Sequence, residues 1–86
     1  MSGQLAGRVC VVTGGARGIG RAVVAEFARE GGIVHAIDRF GDEVEAVCAA
    51  ARSRGGDATA WSLDLTDADA VAATFAAIEA RAGRID

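Results

Sequence analysis

Lysine, tyrosine and proline are absent from the 86 residues, and histidine and tryptophan occur once each. The first two absences remove whole mechanisms from this stretch of chain. A tyrosine acid, a lysine Schiff base and the lysine of a phosphate-binding P-loop each need a residue that is not here. Lack of proline beside 12 glycines points to tight turns without stiff linkers. Cysteine is scarce too. Cys10 and Cys48 have no C-x-x-C spacing and no adjacent histidine, so two buried, reduced thiols are expected rather than a metal or redox site.

Charge of one sign is also missing in bulk. Nine arginines face 12 acids for a net charge of −3, with both signs alternating along the chain. No basic stripe exists to neutralise a nucleic-acid backbone, and no DNA or RNA binding is expected. Long apolar runs are lacking as well. Uncharged stretches such as the one from Val71 to the acid Glu79 fall far short of the roughly 20 residues that span a bilayer. Met1–Arg8 is polar and glycine-containing, without the basic start and apolar run of a secretory signal, so no membrane partner and a cytoplasmic location are expected.

What is present is globular: 51% of residues are hydrophobic and 24% charged. Since an ordinary domain has roughly 100–200 residues, the chain is one small domain or part of a larger one. Apolar runs and helical periods alternate, punctuated by glycine. Val9–Thr13 reads as a strand buried on both faces, and Gly14–Gly20 follows as a loop. Ile19, Ala22, Val23 and Phe27 recur at helical spacing up to a stop at Gly31-Gly32, and Ile33–Ile37 is a second strand. Val44, Val47, Cys48 and Ala51 carry a second helix to Gly55-Gly56, with Asp42, Glu43 and Glu45 at its positive end and Arg52 and Arg54 at its negative end. Ala58–Leu63 is a third, weaker strand. Thr66 lies three residues before Asp69, the spacing of a capping box, and Val71, Phe75 and Ile78 stripe a third helix ending near Gly83.

The order β-α-β-α-β-α belongs to an α/β fold, a partial doubly wound parallel sheet with expected strand order 3-2-1. Arg84-Ile85-Asp86 reads as the approach to a fourth strand. With no such strand beside it, Val9–Thr13 becomes a sheet edge without a protective proline or lysine, and self-association through this first strand is expected. A chain this small also has a thin margin of stability.

The chemistry lies in Thr13-Gly14-Gly15-Ala16-Arg17-Gly18-Ile19-Gly20, set between a strand and a helix. In that context Gly14 allows a tight turn out of the strand, Gly18 lets the backbone approach a pyrophosphate and Gly20 lets helix and sheet pack closely. Free N–H groups from Arg17 to Gly20 and the positive helix end face the phosphates. Asp38 closes the second strand 18 residues after Gly20, near the spacing of an acid that accepts hydrogen bonds from an adenosine ribose. A carboxylate there repels the 2′-phosphate of NADP, which favours NAD. Arg17 and Arg39 act the other way, since either guanidinium could pair with that phosphate if Asp38 swung aside. Asp64, followed by Leu65 at the third strand's end, either accepts from an adenine amino group or belongs with Thr66 and Asp67 to the turn before the last helix.

Leu5-x-Gly7-Arg8-Val9, Thr13-Gly14-x-x-x-Gly18-Ile19-Gly20, Ile37-Asp38-Arg39 and Asp64-Leu65-Thr66-Asp67 together resemble the N-terminal part of short-chain dehydrogenases/reductases. The resemblance covers nearly the whole chain. It implies a dinucleotide-binding Rossmann-like domain of which residues 1–86 are the N-terminal part. It also implies that Gly14, Arg17, Gly18, Ile19 and Gly20 surround the pyrophosphate, Asp38 meets the adenine ribose, and Asp64 with the Leu65 amide meets the adenine. An aspartate at the position of Asp38 goes with NAD in that family. Family members run to about three times this length and carry a catalytic serine and a Tyr-x-x-x-Lys pair in their second half, none of which these residues contain. The expected function is thus the NAD(P)-binding segment of an oxidoreductase that moves a hydride between nicotinamide and an alcohol or carbonyl, inactive as the 86-mer alone. The alternatives are a stand-alone adenosine-nucleotide-binding half-fold, an inert fragment and, more weakly, a methyltransferase with a similar sheet.

For the remaining residues structural roles are expected. His35 lies inside a strand with no nearby serine or cysteine to activate. Phe27, Trp61 and Phe75 occupy core-facing positions, while Phe40 either leads into the second helix or borders the adenine.

Overall fold

β-Branched, glycine-bounded runs and alanine-rich periodic segments give six alternating elements in the computed structural model, which describes residues 4–83 and Ile85. They are β1 (Val9–Thr13), α1 (Gly18–Arg29), β2 (Ile33–Asp38), α2 (Gly41–Ser53), β3 (Asp57–Ser62) and α3 (Ala68–Ala82). The strands form one parallel sheet in the order β1-β2-β3, which is the expected 3-2-1 arrangement. Val9 pairs with Ile33 and Thr13 with Ile37, while β2 and β3 run in register from Ile33 with Asp57 to Asp38 with Ser62. The expected approach to a fourth strand falls largely outside the described residues, and Ile85 belongs to no strand.

Strand side chains alternate between two faces, and each face builds its own core. On one, Val12, Val34, Ala36 and Ala58 pack against Val24 and Ala28 of α1 and Val44, Cys48 and Ala51 of α2. On the other, Val9 and Ile37 pack with Leu63 and with Ile78 of α3. The molecule is therefore three layers, with α1 and α2 on one side and α3 on the other. Phe27 supports the first core, and Trp61 and Phe75 the second, as half-buried side chains.

Some expectations shift. Only Val9 and Val12 of β1 are fully buried; Cys10 and Val11 are half-buried and Thr13 is exposed, because β1 is a terminal strand of the described sheet. Cys10 is accordingly half-buried, while Cys48 is buried and its thiol is pushed up from its ordinary pKa by desolvation. The third strand begins one residue earlier than expected, at Asp57, and Leu63 continues the ladder by donating its N–H to the Asp38 carbonyl at 3.0 Å.

The capping box does not form. Asp67 is the N-cap of α3, and its Oδ1 accepts the Ala70 N–H at 3.1 Å. Thr66 is turned away because its N–H and hydroxyl both donate to Oδ1 of Asp64. Asp69 contributes its charge to the first turn, and Gly83 closes the helix in the left-handed conformation with φ 86°. Among the described residues no helix is long and apolar enough to cross a membrane, and no cluster of three or more His, Cys, Asp or Glu is arranged to hold a metal ion.

Candidate functional site

Parallel strands deliver all their carboxyl ends to one edge of the sheet, and here that edge collects the loop after β1, Asp38 at the end of β2 and Asp64 beyond β3. The ladder runs on into the first loop, where the N–H groups of Gly14 and Gly15 both donate to the Ile37 carbonyl, at 2.8 and 3.2 Å. Gly14 turns the chain out of β1 with φ 70°, and Gly18 opens α1 with φ 56°, both in the region that disfavours a side chain. Gly20 is required for a different reason. A Cβ there would overlap the Gly14 carbonyl oxygen, so the first turn of α1 rests directly on the turn that leaves β1.

Among the described residues no side chain caps this helix. Arg17 at the N-cap is extended, with φ −142°, and its side chain makes no cap hydrogen bond. The N–H groups of Gly18, Ile19 and Gly20 have no acceptor within the helix, and they lie at the positive end of its dipole. Around Gly18 a Cβ would meet nothing within 4 Å, and Ile19 is 85% exposed, so this end of the helix is open.

Asp38 ties the loop to α2. Its Oδ2 accepts the Ala16 N–H at 3.0 Å and its Oδ1 the Phe40 N–H at 3.1 Å. Two residues later Phe40, the residue before α2, lies under two guanidinium groups, with Arg17 Cζ 4.0 Å and Arg39 Cζ 5.0 Å from its ring centroid. Arg17 also grips Glu43 with two bonds, Nε to Oε2 at 2.6 Å and Nη2 to Oε1 at 2.9 Å. That hydrogen-bonded pair holds Glu43 below the usual carboxylate range and raises Arg17.

Asp64 adopts the turn geometry that spacing alone left undecided. Its Oδ1 accepts the Thr66 N–H at 2.9 Å and the Thr66 hydroxyl at 2.7 Å. Those bonds, first the backbone one, hold its carboxyl below the ordinary aspartate value, and the charge of Arg39 adds to the effect.

Gly14, Asp38, Arg39, Leu63, Asp64, Leu65 and Thr66 line one cleft of about 260 Å³. Five of the expected residues thus meet there: Gly14, Asp38, Arg39, Asp64 and the half-exposed Leu65. Arg17, Gly18, Ile19 and Gly20 lie outside its wall. They form the start of α1, joined to the cleft through Gly14 and through the bond from the Ala16 N–H to Asp38. A larger hollow of about 820 Å³ lies between α1 and α2, lined by residues such as Ala25, Ala28, Ala51 and Gly56, and it includes none of the expected site residues.

Sequence reasoning placed Glu43 only at a helix start and left Phe40 between two roles. The available signal was topological: a helix that follows β2 after two residues must begin at the edge where the glycine loop lies.

The family model described as short chain dehydrogenase matches residues 8–86. The chain belongs to the short-chain dehydrogenase family. Within that family it is 44% identical over 82 residues to a short chain dehydrogenase/reductase of Colletotrichum higginsianum, covering 95% of this chain and 31% of that protein. Among solved structures, a metagenomic short-chain oxidoreductase in complex with NADP superposes with a TM-score of 0.92 at 36% identity, over 95% of this chain and 37% of the other. NAD+-bound xylitol dehydrogenase does so with a TM-score of 0.91 at 31% identity, over 96% and 32%. This short-chain dehydrogenase sequence therefore spans about a third of the length of the curated relatives it matches. The expected family and its Rossmann-like layering are both borne out.

Proposed function

We propose that residues 1–86 are the cofactor-binding N-terminal part of an NAD(P)-dependent oxidoreductase, and that they bind the adenosine and pyrophosphate portion of the dinucleotide. The observation that carries this reading is the uncapped start of α1, seated on the Gly14 turn by a glycine that tolerates no side chain. Such a helix end offers N–H donors and a positive dipole to a pyrophosphate. In this reading Gly14, Arg17, Gly18, Ile19 and Gly20 border the pyrophosphate, Asp38 and Arg39 the ribose, and Asp64 and Leu65 the adenine. Both Asp38 oxygens already accept backbone N–H groups, which fixes the carboxylate while leaving lone pairs for ribose hydroxyls. Asp64 keeps Oδ2 for the adenine amino group, since its bonds to Thr66 use Oδ1 alone.

When bound, the dinucleotide supplies a nicotinamide ring that donates or accepts a hydride. In the family, exchange of that hydride with an alcohol or carbonyl relies on a tyrosine and a lysine for the accompanying proton transfer, and these residues contain neither. The one histidine is 3% exposed and bonded to Trp61. The 86 residues alone are therefore expected to bind without catalysing. In the same reading the protein is cytoplasmic, without nucleic-acid or membrane partners, and self-associates through β1. The lack of a basic stripe, the lack of a long apolar run and a first strand without lysine or proline support it.

Of the two superposed structures named above, one holds NADP and the other NAD+, so the shared fold does not select between them. Asp38 does, by repelling a 2′-phosphate, and NAD is the favoured cofactor. Calorimetry with NAD, NADP and ADP tests this. NAD should bind more tightly than NADP, and Asp38→Asn should weaken NAD and narrow the difference. Absence of heat with both NAD and ADP would overturn the binding role, and tighter binding of NADP would overturn the cofactor assignment.

A further inference from the structure

Arginine in a nucleotide-binding loop is ordinarily a ligand for phosphate, because its planar fork matches the oxygens of an oxyanion. Arg17 is not offered that way. Its Nε and Nη2 edge is closed by both oxygens of Glu43, at 2.6 and 2.9 Å, and the Phe40 ring lies 4.0 Å from its Cζ. One edge and one face of the guanidinium are thus engaged by protein. Glu43 is the third residue of α2, in the first turn, where the helix dipole favours a carboxylate. Phe40 is held in turn, since its N–H donates to Asp38, the same carboxylate that accepts from Ala16 beside Arg17.

We propose that Glu43 is a specificity-determining residue, which latches Arg17 onto Phe40 and withholds it from a ligand phosphate at the 2′ position of the adenosine ribose. The inference rests on the dinucleotide reading above and deepens it. Asp38 repels the 2′-phosphate by its own charge, while Glu43 withholds Arg17, one of the two arginines that would otherwise compensate, and leaves Arg39. Discrimination against NADP then has two separable sources. Glu43 touches neither the ribose nor the reacting atoms and acts through Arg17, so it is a positioning residue.

The pair is exposed, with 61% and 47% of the two side chains accessible, so breaking it leaves both cores intact. Its strength is that of a surface ion pair improved by bidentate geometry and stacking. Releasing Arg17 should therefore change affinity by roughly threefold to tenfold.

The experiment measures binding of 5′-ADP, 2′,5′-ADP and NAD to the full chain and to Glu43→Gln, Arg17→Ala and the double variant. The first two ligands differ in where the second phosphate sits, on the 5′-phosphate in 5′-ADP and on the 2′ oxygen in 2′,5′-ADP, so only the latter presents a 2′-phosphate, and each is compared between proteins. Glu43→Gln should bind 2′,5′-ADP several-fold more tightly than the unaltered chain, with 5′-ADP unchanged within about twofold, and the gain should vanish when Arg17 is also alanine. Glu43→Asp, shorter by one methylene but still charged, should show part of the gain, which loss of negative charge alone would not produce. Equal 2′,5′-ADP binding in Glu43→Gln and the unaltered chain would overturn the latch, as would a gain that persists without Arg17. In either case 5′-ADP and NAD still bind, and the dinucleotide reading survives. If no ligand binds to any of these proteins, the dinucleotide reading and the latch fall together.

Discussion

His35 shows how one buried side chain ties stability to pH. Its Nδ1 accepts the Trp61 Nε1–H at 3.0 Å, which leaves the single proton of the neutral ring on Nε2. A second proton would set two N–H donors against each other. Burial is the main cause that lowers the histidine pKa from 6.5; the charge of Arg81 on α3 lowers it further, and Asp57 at the start of β3 opposes the change. With the folded value below the unfolded one, the unfolded chain binds more protons as pH falls, so this contribution is full above pH 6.5 and is lost on descending from 6.5 toward the folded value. Urea unfolding followed by fluorescence of the single tryptophan should show stability declining as pH falls below about 6.5. His35→Gln should flatten that segment, and an equally steep decline in the variant would assign the effect to other groups. The structural role of His35 was legible from its place in a strand without a nucleophile. Its partner was not, because Trp61 reaches it across the sheet from two positions beyond the registered residue Thr59.

At the scale of elements the sequence is legible where glycine and apolar period agree, and misleads where two polar residues compete for one role. β1 has the expected bounds, and each helix ends one or two residues before an expected glycine. Thr66 and Asp67 both have the chemistry of an N-cap. Asp67 takes it because Thr66 is already bonded to Asp64, a competition that spacing does not resolve. Asp67→Ala should therefore cost about 1 kcal/mol of stability through the exposed N–H groups of α3. Thr66→Ala should leave the cap intact and loosen only the Asp64 turn, costing less. Denaturant unfolding of the two variants distinguishes them, and a larger loss for Thr66→Ala would restore the capping box. The candidate site follows the same pattern. Gly14, Asp38 and Asp64 were legible because strand ends and spacing locate them, whereas the Arg17–Glu43 pair joins residues 26 apart and depends on where α2 begins.

The whole molecule is three layers with uneven cover. Two helices shield one face of the sheet, and α3 alone shields the other. At its edge β1 pairs only with β2 among the described residues, and there Cys10 and Val11 are half-buried and Thr13 is exposed. An edge strand is a template for pairing with another strand, and this one has no lysine, proline or inward-pointing charge to discourage pairing. A net charge of −3 gives only weak repulsion between copies. Pairing of β1 with β1 from a second copy would extend the sheet across the interface and cover the apolar side chains along it. The 86-residue chain should accordingly sediment with a mass that rises with concentration. Val11→Lys, which places a charge on the edge strand, should shift it toward monomer while circular dichroism still reports the α/β fold. A clean monomer for the unaltered chain at high concentration would exclude the edge as an interface. Association undiminished in a folded Val11→Lys variant would place the contact on another surface.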